Sequence, residues 1–424
     1  LQSCEPGLSE GGWYSEEWLQ NVLRRASKEF DRAFDRWREL YRAAMTQLKE
    51  AQQVFYRSRN RKDQAEARRR MDEANRQRNL LCNIETTREE TDFYPYRYLA
   101  SEGFLPGYNF PRLPIRVFIP RGDGEFIARP RFLSITEFGP KNFVYHEGAR
   151  YEACKLISAP GGLESRRLQG KLCSVCGYFQ SDATVDLCEN CDTRLDGSNS
   201  EVIPLLEMSN VRTWRRERIT CDEEERLRLG YEVTAHFRFA PAPGGGKRTI
   251  EGAIYDAANT PLFRLVYAPA ALLYRINHGW RNRTEKGFLL DLATGEWLSR
   301  HGLEDEPAPP SVSQQPDVVR LFVHNTENMI LLYFTRDDIP WGEDVQTTLQ
   351  YALQRGIEEV FQIEESEIAS TRIGAGAHRA IMFWEASEGG VGVLRRLVEE
   401  RDALAEVARA ALQRCHFNLE TLED

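Results

Sequence analysis

The chain has 424 residues, a formal net charge of -9, 41% hydrophobic and 29% charged residues, room for roughly two to four domains with sizeable cores. No apolar run reaches the length of a membrane span and no signal peptide opens the chain, so a soluble protein is expected. The negative charge excludes a global attraction for nucleic acid, and any DNA contact needs local basic patches. Nine cysteines, four in one spacing and five scattered, suit a reducing compartment, which implies the cytoplasm. The chain opens on Leu1 rather than Met and is expected to be a piece of a longer polypeptide.

From Ser15 to about Tyr56, apolar residues recur at three- and four-residue steps, among them Trp18, Val22, Phe30, Phe34, Trp37, Met45 and Leu48. This predicts one uninterrupted amphipathic helix. Ser15 supplies an N-cap, and Glu16 and Glu17 suit the first turn. A second, more polar helix over 63–83 would complete a protruding hairpin. Its tip and second helix carry Arg57, Arg59, Arg61, Lys62, Arg68, Arg69 and Arg70. A solvated face explains these slightly better than a phosphate-contacting prong. Residues 92–120 are aromatic and proline-rich and predict an irregular strap rather than a regular helix. Its rings suit core anchoring better than base stacking. Strands are predicted within 113–158, at 116–119, 143–145 and 151–156.

Next come Cys173-Ser-Val-Cys176, eleven residues, and Cys188-Glu-Asn-Cys191. Two Cys-x2-Cys knuckles brought together supply four thiolates, the donor set of tetrahedral zinc. Gly177 and Asp192 follow the knuckles and let the backbone fold over the metal, aiming amides at the sulfurs. Two disulfides, or four unrelated thiols, form the competing explanation; paired knuckles in a cysteine-sparse chain favour zinc. Four protein ligands leave no open position, so the zinc would be structural. The segment between the knuckles is too short and polar for a core, so metal binding would itself fold it.

Beyond the knuckles lie the Arg-rich stretch 214–218 and the acidic patch 222–225. Strands are then predicted at 231–239, 262–266, 272–276 and 288–291, with a Gly/Pro turn at 241–246. Residues 301–316, rich in Pro, Glu and Ser, predict a linker. The last block alternates strands (318–323, 329–333, 380–384) with helices (345–355, 391–415). The expected fold is therefore α+β and multi-domain. A helical hairpin (1–91) precedes a β-rich domain (92–300) with a zinc ribbon at 170–195, then the linker and a C-terminal α/β domain (317–424).

No nucleotide-binding motif is present. Pro243-Gly-Gly-Gly-Lys-Arg-Thr249 lacks the spacing, the Ser or Thr after Lys, and the following helix of a phosphate loop. The chain by itself is not expected to hydrolyse ATP, and no catalytic residue is assigned. Glu385-Ala-Ser-Glu-Gly-Gly-Val-Gly392 sits where a strand meets a helix. A helix N-terminus there could hold a phosphate, but Glu385 and Glu388 favour a close-packed glycine turn. Asp337, Asp338, Glu343 and Asp344 with Glu364, Glu365 or Glu367 suit an acidic surface better than a nuclease centre. Cys415-His416 is either part of a second metal site or a solitary thiol at a helix end; His378 is the other histidine of interest. Basic residues beside aromatic ones, chiefly Arg212, Trp214, Arg215, Arg216, Arg281 and Arg283, are the candidates for DNA contact.

In order, these segments resemble the C-terminal half of large bacterial superfamily 2 helicases that carry an MrfA-type zinc-binding domain. The resemblance rests on Phe93-Tyr-Pro-Tyr-Arg-Tyr-Leu-Ala-Ser-Glu-Gly-Phe-Leu-Pro-Gly107, Ala128-Arg-Pro-Arg-Phe-Leu-Ser-Ile-Thr-Glu-Phe-Gly-Pro140, Tyr145-His-Glu-Gly-Ala-Arg-Tyr151 and the two-knuckle module after them. It continues through Leu349-Gln-Tyr-Ala-Leu353, Ile381-Met-Phe-Trp-Glu-Ala-Ser-Glu-Gly-Gly-Val-Gly392 and Cys415, covering most of 90–415. It implies ATP-dependent translocation or unwinding of DNA, with ATP and magnesium held by motor lobes expected upstream of this chain. It also implies a second zinc with Cys415 as its first ligand, although the three further cysteines of that site are expected beyond Asp424. Related helicases occur in antiphage defence systems such as DISARM and Druantia, which implies partner subunits. Two rival classes are a zinc-stabilised scaffold docking a partner protein and a metal-dependent nuclease.

Overall fold

The computed structural model describes residues 15–418 except 83, 85–94, 102–103, 106–113, 122–123, 158–162, 217–229, 243–245, 282, 293, 299–315, 337 and 388–389. The chain divides into two compact units, 1–113 with 159–161 and 114–158 with 162–424.

The first unit is helical: α1 (Glu16–Ala33), α2 (Asp35–Arg57), α3 (Arg61–Cys82) and the short α4 (Pro95–Ser101). Ser15 caps α1, its hydroxyl accepting from the Trp18 amide at 3.0 Å. The uninterrupted helix expected over 15–56 breaks at Phe34, whose amide turns back to Asp31 and Arg32 carbonyls. Tyr98 explains how the break is tolerated. Its hydroxyl donates to the Ala33 carbonyl (2.8 Å) and accepts from the Trp37 amide (3.0 Å), satisfying groups a continuous helix would have paired. Helices α2 and α3 form the hairpin. Their buried alanines, Ala44 and Ala51 on α2 and Ala67 and Ala74 on α3, permit a close approach. The described part of 92–120 corrects the expectation of a strap without helix. Pro95 opens α4, a position where its missing amide costs nothing, and 115–119 is a buried strand.

The second unit starts with a five-stranded sheet, ordered β2-β1-β8-β4-β3. Its strands are β1 (Ile115–Ile119), β2 (Glu125–Arg129), β3 (Phe143–His146), β4 (Ala149–Leu156) and β8 (Val211–Arg216). A helix not expected from the sequence, α5 (Arg131–Glu137), lies between β2 and β3. The larger sheet has ten described strands, in part ordered β10-β11-β13-β7-β5-β6, with β9, β12, β14 and β15 joining off this path. They are β5 (Arg167–Cys173), β6 (Phe179–Gln180), β7 (Ser200–Glu207), β9 (Tyr231–Arg238), β10 (Ile250–Tyr255), β11 (Pro261–Trp280), β12 (Phe288–Asp291), β13 (Pro316–Phe334), β14 (Ile368–Ile373) and β15 (Ala380–Glu385). A bridge between Tyr178 and Phe237 brings the start of β6 to β9. The series β6-β5-β7-β13-β11-β9 thus curls back on itself around Leu172, Phe179, Ile203, Leu205, Tyr274 and Ile276.

Runs read as separate strands at 262–266 and 272–276 are one strand, β11, bulged between Ala268 and Ala271. Those at 318–323 and 329–333 are likewise one strand, β13. Residues 301–315 of the expected linker lie outside the described residues. Pro316 already belongs to β13, which pairs with β7, β11, β12 and β15, so strands from both sides of that segment share one sheet. Helices α6 (Glu343–Phe361), α7 (Val393–Glu399) and α8 (Ala403–Arg414) cover part of this sheet through Leu353, Ile357, Leu394 and Val407. The single helix expected over 391–415 is two, broken after Glu399. No described helix is long and apolar enough to cross a membrane.

Candidate metal centre

The first knuckle grows out of the end of β5. The Gly177 amide donates to the Cys173 carbonyl at 2.8 Å, and the Cys173 amide to the Tyr178 carbonyl at 3.1 Å. Gly177 has φ +76, and a Cβ there would meet Ile373 Cγ1 at 2.1 Å, so both backbone and packing require glycine. The second knuckle repeats the pattern. The Asp192 amide donates to the Cys188 carbonyl at 3.0 Å, and Asp192 has φ 55. One knuckle amide, from Asn190, points at the Cys188 sulfur at 3.4 Å.

The four Sγ atoms lie within 4.8 Å of one another. Cys173 and Cys191 are 3.8 Å apart and Cys176 and Cys188 3.5 Å apart. A zinc–sulfur bond of about 2.3 Å gives tetrahedral sulfur–sulfur edges of about 3.8 Å, which this donor set matches. A disulfide needs about 2.05 Å, so the sulfurs are not paired as disulfides. Cys173, Cys176 and Cys188 are buried among Tyr178, Phe237, Phe239 and Ile373. The knuckles therefore share the core of the larger sheet instead of standing as a separate module. Hydrogen bonds with Cys176 and Cys188 hold the Cys173 thiol well below its ordinary range, and those with Cys173 and Cys188 push Cys176 up. A dication removes the penalty on ionising all four. Donors, spacing and burial fit structural zinc, with no position left for substrate.

A polar chain that the sequence did not reveal runs away from the knuckle. His236 Nδ1 lies 3.1 Å from the Gly177 carbonyl and must donate to it. Its Nε2 then accepts from the Thr234 hydroxyl at 2.8 Å. The Thr234 oxygen in turn receives His278 Nε2–H at 2.7 Å. His278 Nδ1, 2.9 Å from the Arg320 guanidinium, is an acceptor, and Arg320 also pairs with Glu201 at 2.6 Å. Every ring nitrogen has one compatible role, which fixes both rings as neutral tautomers. Burial lowers both histidines to about 4. The chain lines an open groove of about 980 Å³ with Lys286, Arg372 and Tyr351. Of the four cations lining it, Lys286, Arg320 and Arg372 pair with Glu232, Glu201 and Glu343, and Arg379 donates to the Trp341 carbonyl at 2.9 Å.

The two rings make stability pH-dependent. Their folded pKa lies below the ordinary 6.5, so between pH 6.5 and about 4 the unfolded chain binds more protons. Stability is full above that window and is lost as pH falls through it, by about 2 kcal/mol per ring between pH 7 and 5. Urea unfolding at both pH values with saturating zinc measures this. His278→Gln should flatten the dependence, and an unchanged slope would refute it.

Glu385 is fully buried. Its carboxylate accepts from the Gly392 and Leu394 amides and from Asn328 Nδ2, each at 3.0 Å. The amides at the start of α7 that could have met a phosphate are occupied by this side chain. Asp337 and Glu388 lie outside the described residues. Asp338 pairs with Arg336, Glu365 with Arg355 and Glu343 with Arg372. Among the described residues no second group of three potential metal ligands assembles besides the four sulfurs. Cys415 is exposed at the end of α8, apart from that cluster, and His416 follows it with φ 65.

The candidate DNA contacts divide between places. Arg212, Trp214 and Arg216 alternate along β8 opposite the buried Val211 and Thr213, whereas Arg215 lies on the other face. Arg212 lies 5.8 Å from the Phe118 ring centroid, and Arg216 bonds Glu152 at 2.5 Å. Arg281 and Arg283 follow β11, where Arg281 Nε donates to the Tyr231 carbonyl at 3.0 Å.

Residues 349–418 match the model of the MrfA Zn-binding domain family. The match takes in most of α6 and all of β14, β15, α7 and α8, and reaches Cys415; the four-sulfur cluster lies outside it. No curated protein matches the chain. A solved structure titled "Crystal Structure of DUF1998 helicase MrfA bound to DNA" is similar with TM-score 0.32 and 10% identity, over 71% of this chain and 29% of that chain. The chain thus spans less than a third of that helicase. Within this α+β protein, residues 349–418 are similar to the MrfA Zn-binding domain family.

Proposed function

We propose that this chain is the C-terminal accessory region of an ATP-dependent DNA helicase or translocase. It binds and guides DNA while motor lobes outside it supply ATP hydrolysis. The observation that carries this is the match of 349–418 to the MrfA zinc-binding domain, in the chain order the sequence resemblance requires. Structural zinc on Cys173, Cys176, Cys188 and Cys191 holds the β-rich part rigid, and Cys415 would serve a second zinc only with ligands from further sequence. Arg212, Trp214, Arg215, Arg216, Arg281 and Arg283 are the proposed DNA contacts. A cytoplasmic setting in bacterial antiphage defence, with partner subunits, extends the same reading.

Titration of labelled DNA at several salt concentrations tests it. Charge reversal of Arg212 with Arg215, or of Arg281 with Arg283, should weaken binding at least about tenfold and lower the salt slope by about one per lost phosphate contact. Unchanged affinity removes that pair from the interface. A second reading, a scaffold that docks a partner protein, is favoured by one observation: Trp18, Val22, Leu23 and Phe30 on α1 are exposed. Failure to bind any DNA would leave it standing in place of the first.

A further inference from the structure

The five-stranded sheet turns one face to a core of Val117, Ile119, Tyr151, Ala153 and Val211. The register fixes what shares the opposite face. Phe143 on β3, Glu152 on β4 and Trp214 on β8 form one cross-strand row; Tyr145, Arg150 and Arg216 form the next. Past a bulge, Lys155 faces Arg212, which in turn faces Phe118 on β1. Adjacent strands lie about 4.8 Å apart, so each three-residue row spans about 10 Å.

Three properties set this face apart. First, it is cationic in a chain of net charge -9. Among the described residues, Arg150, Lys155, Arg212, Arg216 and Lys141 share the area with two carboxylates: Glu296, bridged opposite Lys155, and Glu152, already bonded to Arg216 at 2.5 Å and to Lys141 at 3.2 Å. Second, it offers rings to solvent: Trp214 is 55% and Tyr145 42% exposed. Third, guanidinium planes sit beside the rings, with Arg150 4.5 Å from the Phe143 centroid.

We propose that this face binds single-stranded DNA, with Trp214 and Tyr145 stacking on bases and Arg150, Arg212 and Arg216 meeting phosphates. The proposal rests on the DNA-binding reading above and narrows it to one substrate form and one surface. In a duplex the base faces are covered by their neighbours, so exposed rings on a pleated surface gain nothing from it and only the cations would act. An unstacked strand uses both. Glu152, held by two cations, keeps the guanidinium of Arg216 and the ammonium of Lys141 in place between the rings. Arg215, Arg281 and Arg283 lie off this face and would contribute through charge alone.

The test is fluorescence anisotropy of the whole zinc-loaded chain with labelled oligothymidylate and with a duplex of equal length, at moderate salt. The single strand is expected to bind at least about tenfold more tightly, and to quench tryptophan emission. Trp214→Ala with Tyr145→Ala should reduce single-strand affinity about tenfold or more and leave duplex affinity unchanged. Trp214→Phe, which keeps a stacking ring, should retain most of the binding. Both rings are at the surface, and an unchanged circular dichroism spectrum verifies the fold. Equal or tighter duplex binding, or a double variant that binds the single strand normally, overturns this inference while leaving DNA binding itself intact. Binding to neither form overturns both.

Discussion

Stripping the metal with a chelator, or replacing Cys176 or Cys188 by Ser, is expected to lower the stability of the second unit by at least about 4 kcal/mol. Structural zinc contributes about 10–16 kcal/mol of apparent binding free energy in isolated finger peptides. Here part of the local order comes from packing, because the sulfurs share a core with Tyr178, Phe237, Phe239 and Ile373. The loss should therefore fall below the peptide values and spread beyond the knuckles into β9 and β14. Metal analysis of the intact chain should return one zinc for this cluster, and each Ser variant should lose it. Guanidinium unfolding with and without chelator gives the stability difference. Coincident curves, or purified protein free of zinc, would refute the metal assignment.

Replacement of Glu385 by Ala is expected to cost about 2–4 kcal/mol, because it leaves one buried and two half-buried donors without an acceptor. These are the Gly392 amide, the Leu394 amide and Asn328 Nδ2. The charge also sits at the N-terminus of α7, where the helix dipole favours it. Glu385→Gln should fall between Ala and wild type, since an amide oxygen satisfies some donors while its NH2 faces others. Denaturation midpoints of the three proteins decide this. A Glu385→Ala loss under about 1 kcal/mol would show that the carboxylate is dispensable there. The same geometry predicts that the wild-type chain does not bind free phosphate at this turn.

Local chemistry was readable in the chain. Ser15 caps a helix, Gly177 and Asp192 turn the backbone after each knuckle, and the strands read at 116–119, 151–156, 231–239 and 380–384 fall within or nearly on β1, β4, β9 and β15, because each depends on a few consecutive residues. Long strands were harder. The centre of β13, His324-Asn325-Thr326-Glu327, is polar and looks like a loop, yet it pairs with Ala271 to Tyr274 of β11. The bulge at Ala268 to Ala271 interrupts the period-two signal and split β11 into two apparent strands. Phe34 fits the helical stripe of its neighbours, and the break there is tolerated through a hydroxyl on Tyr98, some sixty residues later. Glu385 was legible as a carboxylate near a glycine turn, but its bonds to the turn depend on the chain's return.

Spacing along the backbone was enough to mark four sulfurs as a zinc set, since a Cys-x2-Cys turn is built from short-range contacts that any fold must respect. Folding in three dimensions decided everything assembled from afar: His236, His278 and Arg320 joined through Thr234, and rings from β3 and β8 aligned across β4. Such groupings arise from strand register between segments far apart in sequence, and no local pattern of residues encodes which distant strand becomes a neighbour.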